Sequence, residues 1–161
     1  MTIGFILNGE DVTVQTDAEN RLINVLRDSF GLLQTKTGCL CGNCGACLII
    51  LNGDVAKSCL IPAFNIMDSE IITIEGFSLT DEYNDIITGF SEADVETCGF
   101  CNTGKILATE AMLGRNSRPS KNEILAAFQG IKCRCTEPEE LAQGVIAVAE
   151  HRRRRLYGRS G

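Results

Sequence analysis

Gly38-Cys-Leu-Cys-Gly-Asn-Cys-Gly-Ala-Cys47 decides the reading of this chain. Cys39, Cys44 and Cys47 stand at C-x4-C-x2-C spacing, and a fourth cysteine, Cys59, follows after eleven intervening residues. This spacing is one by which a [2Fe–2S] cluster is held, with three thiolates on one tight loop and the fourth from elsewhere in the chain. Gly38, Gly42, Gly45 and the small Ala46 let the backbone curl around a cluster and aim N–H groups at its sulfurs. A disulfide loop or a zinc site is the competing reading, although zinc favours paired C-x2-C knuckles with a longer gap. Cys41 is one cysteine too many. The C-x4-C spacing skips Cys41, so Cys41 is expected to face out of the loop as a non-ligand, able to substitute if Cys39 is lost. Leu40 stands where a glycine would ease the turn.

Upstream of this loop, Ile3 to Leu7, the pair Asn8-Gly9, and Val12 to Val14 read as a hairpin. Asp17 is a candidate N-cap for an amphipathic helix carrying Leu22, Ile23, Val25, Leu26 and Phe30, ended by Gly31. Downstream, Leu48 to Leu51, Asn52-Gly53 and Asp54 to Ala56 form a second hairpin, so Cys59 hangs from the end of a strand. Ile71 to Ile74 is a further strand. Two hairpins, one crossover helix and a late strand predict a β-grasp domain over residues 1–76, the scaffold usual for plant-type ferredoxins.

After Gly76 the apolar period changes from strand to helix. Helices are expected over Asp81 to Phe90, Cys101 to Leu113, from the Ser120/Glu123 capping box onward, and from Pro138 onward. Residues 77–161 therefore read as a small all-helical domain, giving an α+β chain of two domains.

The chain has 161 residues, 44% hydrophobic and 22% charged, as a water-soluble globular protein does. Its nine cysteines are an odd number, which argues against a complete disulfide framework, and their close pairing argues for metal. The N-terminus lacks the basic and apolar regions of a signal peptide, and no apolar run approaches a membrane span, so a cytoplasmic location is expected. The net charge of −6 disfavours nucleic acid as a partner.

The helical half holds a second constellation. Cys98 and Cys101 form a C-x2-C pair, and Cys133 and Cys135 a C-x-C pair, each at the expected start of a helix, where partial positive charge favours thiolates. Four such thiols can enclose a second [2Fe–2S] core, although from spacing alone they also suit zinc.

Taken in order, Gly38-Cys-x4-Cys-Gly-Ala-Cys47, Ser58-Cys59-Leu60, Cys98-Gly-Phe-Cys101-x2-Gly104 and Cys133-Arg-Cys-Thr136 resemble the small iron–sulfur subunit of the molybdenum hydroxylases, the xanthine dehydrogenase and aldehyde oxidoreductase family. The resemblance covers essentially the whole chain. It implies an N-terminal β-grasp domain and a C-terminal four-helix bundle, each with a [2Fe–2S] cluster. Cys39, Cys44, Cys47 and Cys59 would hold the first cluster, and Cys98, Cys101, Cys133 and Cys135 the second. It further implies a large partner subunit bearing molybdopterin–molybdenum, where substrate is hydroxylated, and usually a medium subunit bearing FAD. Electrons would pass from molybdenum to the second cluster, then to the first, then to the flavin. No catalytic residue is expected on this chain, and Cys135 and Thr97 would lie near the pterin.

Several positions depart from the family pattern. Thr97 stands where the family has a glutamine that contacts the pterin, and is too short for the same reach. Asn102-Thr103 replaces Thr-Pro, Glu137-Pro138 replaces Gly-Tyr, and Leu40 and Cys41 replace a glycine and an acidic or small residue. None of these removes a ligand. Phe100 is expected to shield the second cluster, His151 to have no metal role, and Arg152 to Arg155 to form a solvated helix end. The alternative function is a free-standing two-cluster ferredoxin, but such a carrier needs only the β-grasp half. The substrate is not legible here; purines come first among the candidates, then N-heterocyclic acids and aldehydes.

Overall fold

The computed structural model describes residues 1–96, 102–131 and 136–158. Thr97, Cys98, Phe100, Cys101, Cys133 and Cys135 lie outside the described residues.

Strands β1 (Thr2–Leu7) and β2 (Glu10–Gln15) form the first hairpin, and β3 (Leu48–Leu51) and β4 (Asp54–Lys57) the second. Each turn is an Asn-Gly pair with both residues at positive φ: Asn8 and Gly9 at 50° and 85°, Asn52 and Gly53 at 51° and 90°. That geometry matches the strand twist, which is why Asn-Gly marks hairpins. Strand β5 (Glu70–Ile72) joins the hairpins into one sheet of order β2-β1-β5-β3-β4, parallel to β1 and antiparallel to β3. The expected strand ends early. Ile74 instead opens α2 (Ile74–Phe77), and the Asn8 side chain holds the Thr73 N–H and hydroxyl at the junction.

The sheet is covered on both faces, and the alternation of its side chains decides which residue goes where. Ile3, Phe5, Leu7, Ile49 and Ile71 face a core closed by Leu22, Val25 and Leu26. Their neighbours Ile50, Ile72 and Val55 face the opposite way, into the core of the helical half. The crossover helix begins at α1 (Leu22–Asn24) and continues as a wider π-turn over Val25–Ser29. Asp17 is not its cap. The residue before the helix is Arg21, with no side-chain cap, because Leu22 N–H is already directed to Ile61 O and Arg21 pairs with Pro62. Gly31, at φ 68°, ends the segment as expected.

The helical half comprises α3 (Asp81–Glu92), α4 (Asn102–Arg115), α5 (Lys121–Ala127) and α6 (Pro138–Tyr157). The Ser120/Glu123 capping box is present in both directions. Gly89 lets α3 cross close to α6, since a Cβ there would lie 2.5 Å from the Val148 backbone.

The arginine run on α6 is not merely a solvated end. Arg155 Nε and Nη2 donate to the two oxygens of Asp85, at 2.8 and 2.7 Å, and Arg152 Nε adds a third bond at 3.1 Å. Asp85 is buried on α3. Burial pushes its pKa up, but the two guanidinium groups outweigh burial and hold it below the usual carboxylate value. The run pins the end of α6 to α3.

Glu75 behaves in the opposite way. Both its carboxylate oxygens are buried without a hydrogen-bond partner. Burial raises its pKa above 4.5, and the charges of Lys36 and Arg27 do not offset this. A raised folded-state pKa contributes stability that is present below the unfolded value and lost as pH rises through the folded one. Glu75→Gln is therefore expected to melt about 2–4 °C above the parent at pH 8, the scale of ~1 kcal/mol in a chain this size. The difference should vanish toward pH 4. Equal melting curves at pH 8 would show that the carboxylate is solvated.

Candidate metal centre

The loop between the crossover helix and β3 is built from turns that place N–H groups around two sulfurs. Leu40 sits at φ 56°, Gly42 at 78° and Gly45 at 76°. For glycine the left-handed region is free, whereas for Leu40 it costs ~1–2 kcal/mol. A Cβ on Gly42 would also strike Leu60, 2.4 Å away. These reversals turn successive peptides inward. Asn43, Cys44 and Cys41 donate backbone N–H groups to Cys39 Sγ at 3.1, 3.2 and 3.5 Å. Cys39 and Ala46 donate theirs to Cys44 Sγ, each at 3.4 Å. Donors converging on a thiol favour its thiolate, and the N–H groups of Cys41, Cys44 and Asn43 lower the Cys39 pKa to about 6.

The other two thiols lie deeper. Cys47 precedes β3, and Cys59 lies in the 3-10 turn Ser58–Leu60 after β4; both are buried beside Ile23. Ser58 closes this end, with its N–H and hydroxyl both on Cys47 O. Burial first, then contact with Cys47, raises the Cys59 pKa. Cys39 and Cys44 thus form an open side of the site, and Cys47 and Cys59 an enclosed one.

Cys41 is exposed, as expected, yet its thiol does not point clear of the site. It hydrogen-bonds to Cys39, and this contact raises its own pKa. Among the described residues no three His, Cys, Asp or Glu side chains close on a single point as ligands of one ion would. Two thiol pairs set apart around a glycine-lined loop rich in inward N–H groups fit a two-iron, two-sulfide core better than a zinc ion.

Basic side chains grip the outside of this loop. Arg21 Nη1 donates to Leu40 O at 2.7 Å, Lys57 Nζ to Gly42 O, and Arg27 Nη1 to Leu33 O and Thr35 O, each at 2.8 Å. Sequence reasoning missed all three, since nothing in the spacing of a lysine or arginine says that it will meet a carbonyl of this loop.

The helical half is packed directly on the loop. A Cβ on Gly104, in the first turn of α4, would stand 2.6 Å from Gly45 O and 3.2 Å from Leu48 Cδ1. Thr103 Oγ1 donates to Gln34 O at 3.5 Å. Gly45 is further covered by Gly130 and Ile131. Gly45, one of the two residues between Cys44 and Cys47, therefore touches α4, which begins at Asn102. Lys105, buried on α4, donates to Thr136 Oγ1 at 3.1 Å, and the Thr136 hydroxyl donates to Glu96 O. This chain of bonds ties Glu96 and Thr136 to α4.

Both halves match known iron–sulfur families. A model described as "2Fe-2S iron-sulfur cluster binding domain" matches residues 5–71, and one described as "[2Fe-2S] binding domain" matches residues 73–146. The chain is similar to the nicotinate dehydrogenase small FeS subunit of Eubacterium barkeri, at 40% identity over 84% of this chain and 87% of that one. The chain belongs to the small iron–sulfur subunits of the molybdenum hydroxylase family. The solved quinoline 2-oxidoreductase of Pseudomonas putida 86 has a chain that superimposes with a TM-score of 0.85 at 33% identity, over 95% of this chain and 96% of that one. The aldehyde oxidoreductase of Megalodesulfovibrio gigas is 34% identical over 89% of this chain but only 16% of its own length, so there the same unit is part of a longer protein. Relatives that are subunits or segments of oxidoreductases, matched across both halves, do not favour a free-standing carrier. Among the described residues no helix is long and apolar enough to cross a membrane.

Proposed function

We propose that this chain is the electron-relay subunit of a molybdopterin-dependent hydroxylase complex, with a β-grasp unit over residues 1–76 and a helical unit over residues 77–161. The observation that carries the reading is the contact of Gly104 with Gly45, which seats the helix following Cys101 against the loop of Cys39, Cys44 and Cys47. When bound, two [2Fe–2S] clusters supply one-electron carriers between a molybdenum centre on a large partner and FAD on a medium partner. Cys39, Cys44, Cys47 and Cys59 hold the first, and Cys98, Cys101, Cys133 and Cys135 the second. The loop N–H groups stabilise negative charge on Cys39 and Cys44, while the burial of Cys47 and Cys59 keeps water from the inner side. Thr97 and Cys135 face the pterin, catalysis takes place on the large subunit, and the complex is cytoplasmic. The nicotinate and quinoline enzymes among the relatives move N-heteroaromatic substrates ahead of purines as the first class to assay.

The native chain is expected to carry about four irons and four sulfides, with two distinct EPR signals after reduction. It should co-purify with a molybdopterin-bearing subunit, and the complex should oxidise nicotinate or quinoline in preference to xanthine. Stoichiometric zinc and no EPR signal would overturn the metal assignment. A chain isolated alone and fully competent as a carrier would overturn the subunit assignment.

A further inference from the structure

In a trans peptide the C=O and N–H groups point in opposite directions, so whatever holds the oxygen also aims the hydrogen. Two peptides of the loop are held in this way. The oxygen of the Leu40–Cys41 peptide accepts from Arg21 Nη1 at 2.7 Å, and its N–H is directed at Cys39 Sγ at 3.5 Å. The oxygen of the Gly42–Asn43 peptide accepts from Lys57 Nζ, and its N–H reaches the same sulfur at 3.1 Å. Both peptides follow a residue at positive φ, Leu40 and Gly42, which turns each oxygen outward.

Each cation therefore acts through one peptide. It fixes the plane, and it polarises the carbonyl so that the N–H on the far side becomes a stronger donor, as in any chain of coupled hydrogen bonds. The two cations come from different directions. Arg21 precedes the crossover helix and is bridged to Pro62, whereas Lys57 ends β4, beside Gly130 of the helical half. Arg21 is exposed, where a bare charge is screened by salt, so its leverage lies in orienting the peptide.

We propose that Arg21 and Lys57 are positioning residues for the first [2Fe–2S] centre, holding the 40–41 and 42–43 peptides with their N–H groups on Cys39 Sγ and so raising the centre's reduction potential. This rests on the assignment of Cys39 as a ligand. One added electron makes the cluster and its thiolates more negative, and N–H groups already aimed at the sulfur favour that state.

The test is an EPR-monitored redox titration of the holo chain, in which the second centre is an internal reference. Lys57→Met and the double variant Arg21→Met/Lys57→Met are expected to shift the first centre against reduction, by tenfold or more for the double variant, which for one electron is about 59 mV. The second centre should move by less than a third as much. Lys57→Arg should restore the parental potential, because it keeps a donor within reach of Gly42 O. In D2O, pulsed EPR should count fewer exchangeable deuterons near the first centre in the double variant. Lys57→Gln, with a shorter polar head, carries the measurement if Lys57→Met does not assemble. An unmoved first centre, or equal shifts in both centres with unchanged deuteron coupling, overturns the proposal and leaves a general charge effect. If the first signal survives in Cys39→Ser/Cys41→Ser, where neither thiol is left, it is the ligand assignment that has failed.

Discussion

Cys44→Ser is expected to remove the first EPR signal and about half of the iron, whereas Cys41→Ser should keep both signals. Cys44 takes N–H groups from Cys39 and Ala46 and stands where the C-x4-C spacing needs a ligand. A serine oxygen is a harder and shorter donor than a thiolate, and iron–sulfur cores favour thiolate. Cys41 leans its thiol on Cys39, and that contact raises its pKa more than the backbone N–H of Asn43 lowers it. Its loss should leave the N–H groups of Cys41, Asn43 and Cys44 on Cys39, since each is a backbone group. The critical comparison is Cys39→Ser against Cys41→Ser by EPR of the first centre. If Cys41→Ser abolishes the signal while Cys39→Ser retains it, the two cysteines have exchanged roles, and the spacing reads C-x2-C-x2-C.

The second large effect is expected at the seam between the halves. Gly104→Val would place a branched side chain where a Cβ already stands 2.6 Å from Gly45 O. Backbone cannot yield there as the tip of a flexible side chain can, so α4 must back away from the loop. Overpacking of this kind costs ~1–3 kcal/mol, equivalent to a fall of about 2–12 °C in melting temperature for a chain of this length. The functional loss should exceed the loss of stability. Backing α4 off widens the gap across which the two centres exchange electrons, so stopped-flow reduction of one centre through the other should slow while each keeps its own signal. Gly114→Ala is the control, on the same helix but with nothing within 4 Å of the added Cβ. If Gly104→Val melts and relays as the parent does, the seam is soft and Gly104 is not what seats the helix.

The thiol-bearing loop was legible because it is local: Cys39, Cys44 and Cys47 share it, with glycines where the turns must reverse. The hairpins were legible for the same reason, since Asn8-Gly9 and Asn52-Gly53 each encode a turn in two residues. The start of the crossover helix was not, because Asp17 has the right chemistry for a cap but the distant Ile61–Pro62 segment decides where Leu22 begins to turn. The arginine run was misjudged on similar grounds. A basic cluster beside a helix end looks solvated in sequence, and only the packing of α3 on α6 brings buried Asp85 beneath it. Contacts of this range leave no periodic mark in the chain. The grips of Arg21 and Lys57 on the loop belong to the same class, separated from their carbonyls by 19 and 15 residues.

The unequal burial of the four thiols has a consequence for the lifetime of the site. Cys47 and Cys59 are 3% and 2% exposed, behind Ile23, whereas Cys39 is open to solvent. Chelators, peroxide and the machinery that delivers iron all approach through solvent and meet the Cys39/Cys44 side first. Damage and repair therefore share one doorway. Any partner that covers this edge guards the metal as well as drawing electrons from it.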